Sequence, residues 1–363
     1  MQRITISSRM SLTDLERSFA AVPDKVEVEI NLPTKFGPAF FVENRVHALL
    51  AHRVRFTGES TKIRYRGNVG LEDARLDYLG CMFYPDQGGF GKSEKIDRRV
   101  AIGDILVRNG VVEHEGLGKS QTICSFDMGD GQSIEAPILS GLGVRGAWIK
   151  RFLEIRRQFF LVGSSQNYEF TADLYEDQHL AKFVYEIYQN AMQHGRLDRT
   201  GQVLSGLRYL RIRKHISTSS SEILSRADGF PELQTYLSAL IKKRRRPVKL
   251  LEISVGDQGL GIVARYCAAS DQELPKPSDE TSLINRIIAQ SLSSKVIQQG
   301  AGQGLTRALT AVAQLGGFLS LRTGRSWLVY SGAEPFSKSL SAVHEEGIES
   351  VAGAHYSLLV PID

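Results

Sequence analysis

The stretch GAGQGLTRALTAVAQLGG, residues 300–317, constrains the fold more than any other part of the chain. Gly300, Gly302 and Gly304 alternate and then run without a break into a strongly helical sequence. A glycine costs a helix roughly 1 kcal/mol relative to alanine, so a plain helix start would not collect three. What such glycines allow is close approach. They leave backbone N–H groups bare at the positive end of a helix dipole, where an anion is stabilised. Immediately upstream, SLSSK offers Ser293 and Ser294 as neutral donors and Lys295 as a point charge able to reach the same anion. For any one glycine pair, a flexible hinge before the helix is the alternative.

Two earlier stretches carry further chemistry. DQHLAKFVYEIYQNAMQHG (177–195) reads as an amphipathic helix, expected to end at Gly195 in a left-handed cap. Glu186, Asn190 and His194 are spaced i, i+4, i+8 and share one face of it. The carboxamide oxygen of Asn190 can ligate a hard cation such as magnesium, and Glu186 can polarise a water. A solvated polar face is the alternative. KLLEISVGD (249–257) reads as an apolar strand that ends at Asp257, with Gly259 and Gly261 following. A carboxylate at a strand end can accept from the exocyclic amine of a base, and glycines let backbone approach a flat ring. An Asp-Gly turn would look the same.

In this order, the Glu-x-x-x-Asn helix, the strand ending Asp-x-Gly-x-Gly, the Ser-Ser-Lys segment and the Gly-x-Gly-x-Gly-Leu helix start resemble one known domain. It is the ATP-binding domain of gyrase, heat-shock chaperones, histidine kinases and mismatch-repair proteins, the GHKL superfamily. YEIYQNAMQHG resembles its N box, VGDQGLGI its first glycine box, and SLSSKVIQQGAGQGL its lid and second glycine box. GAHYSLLVP is similar to its last core strand, Gly-Thr-x-Phe followed by apolar residues and Pro, with Ala354 in place of the Thr. The resemblance spans about 165–363.

It implies a Bergerat-type two-layer α/β sandwich, a mixed sheet with helices on one face and the nucleotide between helices and lid. It implies ATP and Mg2+ as ligands. Asn190 would hold the metal and Glu186 would be the candidate general base. Asp257 would bind the adenine amine, with Gly259 and Gly261 shaping that pocket. Gly302 and Gly304 would contact the phosphates, next to Leu305, and Gly300 would let the lid turn. Lys295, beside Ser294, would meet the γ-phosphate. Ala354 removes a hydroxyl near the adenine side.

A length of 363 residues suggests about two domains. Residues 1–140 read as a separate α/β unit of unassigned role, expected to meet a protein partner. It contains a strand at 25–32, a helix at 40–55 whose HRVR marks a solvated end near His47 and His52, and a strand at 61–67. Loops and short strands are expected from Tyr84 to Lys119. A connector, 141–164, holds the helix RGAWIKRFLEIRRQFF. The ATP-binding domain, 165–363, carries an insertion at 217–246 between strands at 207–216 and 249–257. Helices at 279–295 and 305–315 and three final strands complete it.

No apolar run reaches the roughly 18 residues of a membrane span, and MQRITISSRMSL has no signal-peptide pattern. Cys81, Cys124 and Cys267 are scattered and read as reduced thiols of a cytoplasmic protein. Much of the net charge of +5 sits in KKRRR (242–246), read as a solvated loop end rather than a nucleic-acid site. GKSEK lacks the earlier glycine and the preceding strand of a P-loop. His114 lies among glycines, and the connector helix has no His, which disfavours a two-component kinase. The functional expectation is a Mg-dependent ATPase whose nucleotide state switches partner interactions in signalling, stress or defence. A protein kinase acting on Ser, Thr or His of a separate partner, and a nucleotide-gated binding module with little turnover, are the alternatives. A homodimer is left open.

Overall fold

Residues 250–257 and 351–360 are buried without a break, and because successive side chains point to opposite faces, both faces of the main sheet must be covered. The computed structural model describes residues 2–23, 26–33, 39–57, 61–65, 112–115, 118–128, 133–136, 145–161, 174–217, 219–244, 248–292, 303–333, 335–343 and 348–362. The chain opens with β1 (Gln2–Thr5), α1 (Leu12–Ala20), β2 (Val28–Leu32), α2 (Val42–Thr57) and β3 (Thr61–Tyr65). The three strands form a parallel sheet in the order β1-β2-β3. Parallel neighbours need crossover connections, and α1 and α2 supply them. Helix α1 starts where the Ser11 hydroxyl accepts from the Asp14 backbone N–H at 3.1 Å, satisfying one of its orphan donors.

The rest of the chain builds a larger sheet. Its strands are β4 (Val112–Glu115), β5 (Gly118–Met128), β6 (Ser133–Ile134), β7 (Ser205–His215), β8 (Lys249–Asp257), β9 (Phe318–Gly324), β10 (Ser326–Ser331), β11 (Ser341–Ala342) and β12 (Val351–Ile362). Their order is β11-β10-β9-β12-β8-β7-β5-β4, with β6 paired to β5, and every pairing is antiparallel. The helices are α3 (Arg145–Leu161), α4 (Leu174–Gln193), α5 (Ser220–Ser225), α6 (Pro231–Arg244), α7 (Ile262–Ala269), α8 (Pro277–Ala289) and α9 (Gln303–Gln314). Among the described residues, no helix is long and apolar enough to cross a membrane.

The chain is thus α/β, but it departs from the expected sandwich in three ways. The sheet is antiparallel rather than mixed. It is also covered on both faces. Ile253, Val255, Leu319, Leu321 and Leu358 pack under α3, α4, α7, α8 and α9, whereas Phe126, Leu207, Leu250, Phe318 and Leu359 belong to a second core with α1, α2, α5 and α6. The stretch read as an insertion, 217–246, therefore supplies core: Ile223, Leu233, Tyr236 and Leu237 are buried against the second face. Lastly, the sheet ignores the boundary set at 140. Strands from 112–134 complete it, with Phe126 opposite Leu207.

The second face also corrects the reading of HRVR as a solvated helix end. His47 is fully buried, and His52 and Arg53 are buried beside it, because α2 lies flat on β12. The Asn44 amide on that helix donates to the Ser357 hydroxyl at 2.5 Å and to the Tyr356 carbonyl at 3.3 Å. Burial holds the His47 pKa well below the ordinary histidine range. The basic run begins in the last turn of α6, where exposed Lys242 and Lys243 complement the negative helix end; Arg245 and Arg246 lie outside the described residues.

Candidate functional site

Strand β8, interior to the sheet, ends at Asp257 and leaves it buried, 4% exposed. One carboxylate oxygen, Oδ1, accepts from the Gly259 N–H at 2.9 Å and the Ala354 N–H at 3.4 Å. These bonds aim the side chain. The glycines around it serve backbone packing. A Cβ on Gly195 would lie 2.2 Å from Asp257 Cγ, and one on Gly259 would lie 2.2 Å from the Gly195 carbonyl oxygen. Gly195 is not among the residues with positive φ, so it is no left-handed cap; its missing side chain makes the room Asp257 occupies. Gly261, at φ +85°, starts α7, and a Cβ there would meet the Thr323 hydroxyl at 2.7 Å. That hydroxyl accepts from the Ile262 N–H at 3.0 Å and so caps the helix from β9. Gly259 and Gly261 thus allow close approach within the chain, to the Gly195 carbonyl and the Thr323 hydroxyl.

A β-bulge between Val351 and Ala354 completes this end of the site. Gly353 sits in it at φ +80°, and a Cβ would fall 1.9 Å from the Asp257 carbonyl oxygen. Bulges of this kind re-aim backbone beside functional sites. Gly353→Ala is expected to lower stability by more than about 1 kcal/mol, read as a shift of the urea midpoint. Gly146→Ala, where a Cβ meets nothing within 4 Å, should leave the midpoint unchanged or raise it.

The other end lies between α4 and α9. Glu186 is buried, 6% exposed, and Asn190 is half-buried, so this polar face turns inward rather than into solvent. A Cβ on Gly304 would lie 3.4 Å from the Asn190 amide atoms and 3.4 Å from Glu186 Oε2. The first turn of α9 is therefore set directly against both side chains. Arg145 on α3 and Arg307 on α9 lie 3.2 Å and 3.7 Å from Glu186 Oε1. Burial raises the Glu186 pKa above the ordinary carboxylate range, and the two arginines oppose that shift.

A single cleft joins the two ends. Asn190, His194, Asp257, Gly304, Leu305 and Tyr356 line it together with apolar Ile262, Ile287 and Leu292, around about 710 Å³ of space that includes open solvent. Tyr266, Arg265 and Ala354 complete the wall near Asp257. No family model, no curated protein and no solved structure matches the chain. Ser293, Ser294, Lys295, Gly300 and Gly302 lie outside the described residues, as does Cys81. Cys124 and Cys267 are free, buried thiols.

Sequence reasoning missed several residues of this site. Gly353 and Tyr356 were read only as parts of a terminal strand, and Arg145 only as part of a connector. An isolated Gly inside a strand pattern marks a bulge, so Gly353 had a usable signal. Arg145 had none, since nothing local ties the start of one helix to the middle of the next.

Proposed function

We propose that the cleft binds ATP with magnesium and that the chain is a Mg-dependent ATPase of the GHKL type whose nucleotide state alters a protein partner's contacts. One juxtaposition supports this reading. Residues from three distant stretches, Asn190, Asp257, and Gly304 with Leu305, line one cleft, and Glu186 lies against Gly304 beside it. Its mostly apolar wall with a few polar groups suits a small ligand. In this reading the Asp257 carboxylate accepts from the adenine amine, and Ile262, Ile287 and Leu292 supply apolar contact near the ring. The triphosphate runs toward Asn190 and the α9 N-terminus, where bare N–H groups and the helix dipole favour it.

Magnesium fits the donor set present. Among the described residues no cluster of three His, Cys, Asp or Glu side chains occurs. Mg2+ needs none, because it keeps several waters and takes one or two protein ligands beside phosphate oxygens. The Asn190 carboxamide oxygen is the ligand proposed here, and Glu186, one turn earlier, is the base that orients water. A path from the cleft to the N-terminal unit also exists. On β12, the Ala354 N–H meets Asp257, while the next residue, His355, bonds the Tyr209 hydroxyl at 2.8 Å on the opposite face. There α2 is anchored through Asn44.

Calorimetric titration of the full chain with ATP and magnesium tests the reading. Wild type should release or absorb heat on binding. Asp257→Asn should weaken binding by about ten- to a hundredfold, the worth of a hydrogen bond to a charged group. Absence of binding by wild type would end the proposal. The two arginines on Glu186 favour a second reading, a nucleotide-gated module with little turnover, because a carboxylate so paired is a poor base. Release of labelled phosphate separates the two, and label appearing on protein instead would indicate a kinase.

A further inference from the structure

Among the described residues, Glu186 is the only anionic partner of Arg145 and of Arg307. Arg145 Nη2 and Arg307 Nη1 approach the same oxygen, Oε1, at 3.2 Å and 3.7 Å. Their other contacts are neutral. Arg307 donates to the Gln303 side chain at 2.7 Å, and the Arg145 guanidinium lies 5.4 Å from the Tyr185 ring centre. The Glu186 side chain is only 8% exposed, yet its buried Oε1 accepts no hydrogen bond of proper geometry. Among the described residues the pairing is therefore ionic, loose and one charge short. Two guanidinium groups and the positive end of the α9 dipole face one carboxylate.

That excess calls for a second anion. Arg307 is one turn along α9 from Gly304, on the same side as the glycine that touches Glu186 and Asn190. Both arginines are partly solvated, at 40% and 46% exposure, so each can turn without unpacking the core. Their planar forks match phosphate oxygens, which a carboxylate at 3.7 Å does not fully satisfy.

We propose that Arg145 and Arg307 bind the terminal phosphate of the nucleotide and let go of Glu186 to do so. The inference rests on reading the cleft as an ATP site. It adds a recognition element from outside the 165–363 stretch, since Arg145 begins α3. It also makes α3 a detector of the third phosphate: its first residue is drawn in by ATP and returned to Glu186 by ADP. No bond is made or broken in this exchange of ion-pair partners.

Titrations of wild type, Arg145→Ala, Arg307→Ala, the double variant and Glu186→Gln, each with Mg2+ and either ATP or ADP, test it. Wild type should prefer ATP. Each single Ala variant should lose about tenfold or more in ATP affinity with ADP affinity unchanged, and the double variant should bind the two nucleotides alike. Glu186→Gln, which removes the competing carboxylate, should bind ATP at least as tightly as wild type. A third arm, inorganic phosphate titrated into ADP-loaded protein, should give heat with wild type and none with the double variant. Thermal melts and the Arg→Lys variants, which keep the charge and should recover part of the ATP preference, distinguish lost contact from lost folding. An ATP preference that survives in the folded double variant overturns the inference and leaves the ATP site standing. Wild type that binds neither nucleotide overturns both.

Discussion

Glu186→Gln is expected to leave ATP affinity intact while lowering phosphate release by about 10²–10⁴-fold, the usual contribution of a positioned general base. The carboxamide keeps the volume that α3, α4 and α9 pack around, so the fold should persist. It removes the lone pair that takes a proton from water. A pH series sharpens the test. Burial raises the Glu186 pKa, so turnover should fall as acid protonates it at a pH above the ordinary carboxylate range. The residual activity of the Gln variant should lack that limb. If bound phosphate draws Arg145 and Arg307 away, the groups that oppose the shift leave. The limb in kcat should then lie at higher pH than the limb in kcat/KM, because the two report bound and free enzyme. Equal loss of binding and turnover in the variant would instead mark Glu186 as a structural residue.

The largest expected effect on stability lies on the other face of the sheet. Glu16 on α1, Arg45 on α2 and Arg322 on β9 form a buried triad, each at most 3% exposed. Arg322 Nε lies 2.9 Å from Glu16 Oε1, Arg45 bonds the same oxygen, and Arg45 stacks 4.0 Å from the centre of the Trp327 ring. Glu16→Ala removes the carboxylate that two buried guanidinium groups share and should cost about 3–5 kcal/mol, read from urea unfolding. That is a large part of the roughly 5–15 kcal/mol that holds a domain together. Burial resists ionisation of Glu16, but the arginines prevail and hold its pKa below the ordinary value. The sign follows: this contribution is present above the ordinary carboxylate range and is lost as pH falls through the lowered value. The Ala variant should therefore lose less stability in acid than wild type. Arg322 precedes Thr323, whose hydroxyl touches Gly261 and Gly353 at the cleft. Loosening the triad should thus also loosen the base end of the site.

Much of the scaffold around the cleft was legible because its signals are local. The 3.6-residue repeat of 177–195, the apolar run of 249–257 and the glycines before 305 each report their own element within a few residues. Asp257 and Asn190 could be named from such stretches alone, and they do face one cleft. The β5 strand could not be placed that way. Ten of its eleven residues pair with β7, and the Thr, Ile, Cys and Phe along it mark a strand without naming a partner. The burial of His47 was hidden for a related reason: a helix with polar residues on several sides looks solvated until a sheet face and its buried polar partners cover it.

Local order and the residue types of the cleft were thus set by the sequence itself, through periodicity, turn chemistry and the spacing of Glu186 and Asn190 on one helix. Only the tertiary structure decided what surrounds them. The pairing of Arg145 and Arg307 with Glu186, the seating of Gly195 against Asp257, and the second layer of helices over the sheet all join segments far apart in the chain. Such contacts depend on how far a folded backbone brings two charges or two surfaces together, and no spacing along the chain encodes that distance.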